Sequence, residues 1–97
     1  MQSRSIDWTP DQNMAIASIY FQMLTMELSN ELFTKSKYNK QAQALTGRTK
    51  GSIEFKFCNI SHVLDSNGLP FIKGYKPRIN AQGGSFYRAV EHHINTH

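Results

Sequence analysis

The chain reads as mainly α: a small bundle of about four helices containing a helix-turn-helix-like pair, with an extended arm before the last helix. Three observations predict this. Ile53, Phe57, Ile60 and Leu64 fall at i, i+4, i+7 and i+11, which puts four large apolar side chains on one helical face. Helix-start residues stand where apolar periodicity begins, at Thr9-Pro10 and at Thr49. Two prolines and two glycines within Gly68–Arg78 break any helix there. Ninety-seven residues make one domain with a modest core, and residues 1–7 and 95–97 are expected to fray.

Taken in order, Trp8-Thr9-Pro10-Asp11-Gln12 opens the first helix. Thr9 serves as N-cap, Pro10 takes the first helical position, and Gln12 closes a capping box. Asp11 complements the positive end of the helix dipole. To about Asn30 the chain places Ala17, Tyr20, Phe21, Leu24 and Leu28 on one side, and Met14, Ile19, Met23 and Met26 widen the stripe. Methionines at this spacing are core filler, so the helix is buried on more than one flank. Trp8 should pack back over its start as a lid.

Ser29–Lys37 is less regular and holds the turn out of this helix. A short second helix follows over Tyr38–Leu45, with Ala42 and Leu45 facing inward. The tight Thr46-Gly47-Arg48 connection leads to a longer helix, capped by Thr49 and stopped by the left-handed pair Asn67-Gly68. A helix, a short glycine turn and a longer helix form the pattern of a helix-turn-helix. Beyond Gly68 the segment to Arg78 is an ordered extended arm, pinned by Leu69, Phe71, Ile72 and Tyr75 with Lys73, Lys76 and Arg78 outward. Ala81-Gln82-Gly83-Gly84 is a flexible turn, and Ser85 caps a last helix whose inner face carries Phe86, Ala89, Val90 and Ile94.

Charge is unevenly spread. Residues 1–32 hold Arg4 against Asp7, Asp11, Glu27 and Glu31, a balance of −3. Residues 33–64 hold Lys35, Lys37, Lys40, Arg48, Lys50 and Lys56 against Glu54, a balance of +5, and Ser66–Val90 adds four cations and no acid. An acidic first helix followed by a basic remainder is the electrostatic footprint of a polyanion partner.

Other chemistries find little support. No run of 18 uncharged apolar residues exists to span a membrane, and MQSRSIDW has no signal-peptide character, so a cytoplasmic location is expected. One cysteine excludes an internal disulfide and a multi-cysteine zinc site. Cys58 and His62 share a helix face, and His92, His93 and His97 lie near the end, but no spacing matches a zinc pattern, so no metal or cofactor is expected. The carboxylates are scattered, and neither a serine–histidine–acid arrangement nor a phosphate-binding glycine loop is present. Catalysis by this chain is not expected.

The expected partner is duplex DNA. Asn59 has the amide suited to adenine, and Lys56 or Lys50 could reach a guanine or a phosphate. Arg48, Thr49, Lys50 and Ser52 surround the amino end of the longer helix, where backbone N–H groups attract phosphate. Lys37, Lys40, Lys73, Lys76 and Arg78 would contact the backbone. Phe55 sits opposite the apolar stripe, where a lone aromatic should be covered by the arm or the first helix. A different class of function, a protein-interaction or dimerisation domain acting as a regulator or inhibitor without DNA binding, is suggested by the apolar excess of the first helix together with Phe55, Phe71 and Tyr75.

The run Thr46-Gly47-Arg48-Thr49-Lys50-Gly51-Ser52-Ile53-Glu54-Phe55-Lys56, continuing through Asn59-Ile60-Ser61 and Val63-Leu64, resembles the N-terminal head domain of McrA-type modification-dependent restriction endonucleases and related HNH-nuclease defence proteins. Gly68-Leu69-Pro70-Phe71-Ile72, Gly74-Tyr75-Lys76-Pro77-Arg78 and Asn80 extend the resemblance, which covers roughly Trp8 to Ile94. Phe57-Cys58 and Ala81-Gln82-Gly83-Gly84 depart from the pattern. The resemblance implies a helical accessory domain that binds duplex DNA, modified or plain, beside a separate fused or associated nuclease domain. It hands over no catalytic residue, and the histidines here are not set in a ββα metal finger.

Overall fold

A computed structural model describes residues 8–79 and 83–96. Among them the chain forms four helices and no strand: α1 (Pro10–Leu28), α2 (Lys35–Thr46), α3 (Lys50–Ser66) and α4 (Gly84–Thr96). Expected fraying at 1–7, and at 97, lies outside the described residues, as do Asn80, Ala81 and Gln82; Asn95 and Thr96 are helical rather than frayed.

Local chemistry sets the helix ends. The Thr9 side chain accepts from the Gln12 backbone N–H, and Gln12 reciprocates to the Thr9 N–H, completing the capping box. Thr49 caps α3 by accepting from the Ser52 N–H. Gly47 ends α2 at φ 72°, a left-handed conformation that costs a residue with a Cβ. The last helix starts two residues earlier than a Ser85 cap would place it. Ser85 lies inside α4, and its hydroxyl accepts from Asn13 Nδ2 at 2.9 Å instead of capping.

The core gathers Ile16, Tyr20 and Met23 of α1, Ile53, Phe57, Ile60 and Leu64 of α3, and Phe86 and Val90 of α4, closed by Ile72 and Tyr75 of the arm. The four-residue stripe read on α3 is buried throughout. Three other apolar residues are not where periodicity put them. Met14 and Leu28 are exposed on α1, and Leu45 is 61% exposed. The inner face of α2 is instead Asn39, Ala42 and Thr46, largely polar and held by hydrogen bonds: Asn39 Nδ2 donates to the Lys50 carbonyl, and Gln12 Nε2 donates to the Thr46 carbonyl.

α1, α3 and α4 run parallel. At one end Asn13 meets Ser85, and Lys56 sits between Trp8 and Phe86; further along, Tyr20 pairs with Ser61, Phe21 stacks on His93, and Leu24, Leu64 and Ile94 line one groove. α2 is antiparallel, its end at Gln12 and its start near Met26, whose sulfur accepts from the Tyr38 hydroxyl. Three helix dipoles therefore point the same way, positive at the amino ends and negative at the carboxyl ends.

The arm crosses the outer side of α3 like a belt. The Ile72 N–H donates to the buried Tyr20 hydroxyl, which is also paired with Ser61 Oγ at 2.7 Å. Tyr75 packs on Phe57 with ring centroids 5.0 Å apart. The Arg78 N–H then donates to the Cys58 carbonyl, and Asn59 Nδ2 donates to the Arg78 carbonyl at 2.7 Å.

Candidate nucleic-acid interface

The α2–α3 turn is bolted to the start of α1 by Gln12. Its Nε2 donates to the Thr46 carbonyl, and its Oε1 accepts from the Thr9 N–H and from Arg48 Nη2 at 2.9 Å. The Arg48 guanidinium also lies over the Trp8 ring, 4.9 Å from its centroid. Arg48, expected at a phosphate, is half-buried, and its guanidinium braces the turn.

Two residues expected to read bases are inside. Lys56 is 6% exposed, its Nζ 4.8 Å from the ring centroids of both Trp8 and Phe86. Burial, and then the nearby Arg48 charge, lowers its pKa to about 8. Asn59 is 2% exposed, its amide committed to the Arg78 carbonyl. Both corrections have one physical cause, cover by other segments. Trp8 and Phe86 of α4 enclose the flank that carries Lys56, and the belt covers the flank that carries Asn59.

The amino end of α3 remains open. Lys50 is exposed in its first turn, Thr49 is exposed but occupied as the cap, and Ser52 is half-buried. Lys37 and Lys40 are exposed on the outer face of α2, and Lys76 and Arg78 on the belt. Lys35, read in the sequence only as part of the charge balance, joins them: its Nζ donates to the Gly74 carbonyl and lies 4.7 Å from the Tyr75 ring centroid, tying α2 to the belt. Lys73 is exposed but set apart, its backbone N–H donating to Glu27 Oε2. Across α2, the first turns of α3 and the belt, the exposed carboxylate is Glu54. It lies close enough to help raise the pKa of Tyr75, which burial pushes up to about 12.

Phe55 is 37% exposed rather than covered; the Arg78 guanidinium lies over one face, 5.8 Å from its centroid. Cys58 is half-buried, and burial raises its thiol pKa against the opposing charge of Arg78. Among the described residues no group of three histidine, cysteine or acidic side chains converges, and no helix is long and apolar enough to cross a membrane. Comparisons with protein-family models, with curated proteins and with solved structures returned no match.

Proposed function

We propose that this chain is a non-catalytic duplex-DNA-binding accessory domain, of the kind its resemblance to McrA-type head domains implies, working beside a nuclease domain outside the chain. It grips the phosphate backbone through Lys37, Lys40, Lys50, Lys76 and Arg78, with Lys35 bracing α2 against the belt. The observation that supports this is the segregation of charge by segment: Lys37, Lys40, Lys50, Lys76 and Arg78 are exposed on α2, the first turns of α3 and the belt, which carry one acid, Glu54, whereas Asp11, Glu27, Glu31, Asp65 and Glu91 lie on other segments. The open amino end of α3 adds backbone N–H groups and a positive dipole beside Lys50. Base reading by Asn59 and Lys56 is not part of this reading, because both are buried. Affinity comes from phosphates, with any preference for modified or distorted DNA read through the shape of the backbone.

Fluorescence anisotropy with a labelled duplex tests it. Four or five phosphate contacts give a log–log salt slope of about −4, so affinity falls by a factor of several hundred between about 50 and 200 mM salt. Reversing Lys37, Lys40 and Lys50 to glutamate should lower the slope magnitude by ~3, while Arg88→Glu on α4 leaves it unchanged. A flat salt dependence, or a triple variant that binds like the parent, refutes the proposal.

A further inference from the structure

Away from the first turns of α3, the carboxyl ends of α1, α3 and α4 surround a furrow. Its central part, about 220 Å³, is floored by Phe21, Leu24, Leu64 and Leu69, with Leu28 and Ile94 on its sides. The furrow continues past Leu69 in both directions, toward Glu27 and Lys73 on one side and toward Tyr87 and Glu91 on the other. Leu28 is 57% exposed, an aliphatic side chain left at the lip of an apolar channel. The apolar central part alone is below the roughly 300 Å³ at which small-molecule sites begin, and it runs open into the polar space at either side. It is of a size for apolar side chains presented by another chain.

The rim decides which chain. Glu27 and Glu91 stand at the two mouths, and exposed Asp65 follows Leu64 on the floor. Lys73 is the cation at the Glu27 mouth, where its N–H bonds the Glu27 carboxylate. Three parallel helices also bring their carbonyl ends here, each equivalent to about half a negative charge. An apolar floor inside an anionic rim is complementary to a large aliphatic or aromatic anchor flanked by lysine or arginine. A second copy of this chain fits poorly, since its cationic face would meet this end head to tail and propagate without closing.

We propose that this furrow docks a short peptide segment of a protein partner, one that presents an apolar anchor residue with a basic residue on either side. The site is separate from the cationic face and does not depend on DNA binding.

Selection of a displayed random-peptide library against the whole chain tests this. The expected result is enrichment of peptides with leucine, isoleucine, methionine or phenylalanine flanked by lysine or arginine. A synthetic peptide of the enriched sequence should shift the amide resonances of Leu28, Leu69 and Ile94. Leu28→Gln, a change at an exposed position, and the pair Glu27→Lys with Glu91→Lys should each weaken that peptide at least tenfold, with helical circular dichroism retained. The Lys37, Lys40 and Lys50 reversal should leave it unchanged, which separates failure here from failure of the DNA reading. Enrichment of acidic or uncharged peptides, shifts confined to the α2 face, or no enrichment over a scrambled library would overturn the proposal. So would a concentration-dependent dimer that Leu28→Gln abolishes, which would assign the furrow to a second copy.

Discussion

Replacing Lys56 with methionine isolates the cost of a lysine held between two aromatic rings. In the folded chain its pKa is lowered from 10.5 to about 8, by burial first and by Arg48 second. A folded pKa below the unfolded one means that the unfolded chain binds more protons between those limits, so stability rises with pH. The gain is complete above the unfolded pKa and is lost as pH falls through about 8. Across the full window it is on the order of 3 kcal/mol, and between pH ~7.5 and ~9.5 about 2 kcal/mol. Cys58 acts in the other direction, since its raised pKa removes stability as pH climbs past 9.0, so the comparison belongs in a Cys58→Ser background. Tyr20 and Tyr75, both pushed up to about 12 chiefly by burial, hold their contribution until pH passes 10.0 and lose it above. Urea unfolding at several pH values in this lower window reads the effect. The Lys56-containing protein should gain about 1 M in midpoint, given a slope of about 1–3 kcal/mol per molar, while Lys56→Met should stay level. Equal pH dependence in the two proteins would refute a destabilised buried ammonium.

Four further outcomes are expected. Gln12→Ala removes the capping box and the bolt to Thr46 and Arg48, and should cost about 1–2 kcal/mol in chemical denaturation; a change under a few tenths would contradict that role. Tyr20→Phe deprives the Ile72 N–H of its acceptor, costing about 1–3 kcal/mol and speeding hydrogen exchange at Ile72, and unaltered exchange would show the belt is held otherwise. Gly47→Ala meets open space but keeps φ 72°, so a loss of about 1 kcal/mol in thermal unfolding is expected, whereas a gain would mean the turn relaxes. Asn59→Leu releases the Arg78 carbonyl and should destabilise by about 1–3 kcal/mol without changing DNA affinity more than twofold; a large loss of affinity in a stable protein would restore Asn59 as a reader.

What the sequence made legible was local. Thr9, Pro10, Gln12, Thr49 and Gly68 act on backbone groups within one turn of themselves, and the stripe Ile53–Leu64 is set by helix geometry alone. The cationic segment and the outward lysines of the arm were likewise readable, because solvent is the default for a charged residue. Lys56 and Asn59 were misplaced because their surroundings come from afar. Trp8 and Phe86 enclose one, and Arg78 from the belt claims the other. Apolar character alone points Leu28 and Leu45 inward, yet both are exposed, and α2 turns its polar edge, Asn39 and Thr46, toward its neighbours. Periodicity ranks faces by hydrophobicity and cannot see that a hydrogen-bonded polar face packs as well. The furrow was invisible for a related reason, since the parallel arrangement of three helices is a property of topology, not of any one segment.

That parallel arrangement gives the molecule two electrical poles. The 17 residues of α3 separate its termini by roughly 24 Å, about three screening lengths at physiological ionic strength. An anionic partner at the amino-end pole beside Lys50 and a cationic one at the carboxyl-end pole would therefore scarcely sense each other through the solvent. In buffer of about 10 mM the screening length grows to about 30 Å, more than the span of α3, and the poles then act as one torque that turns the protein before either partner touches it.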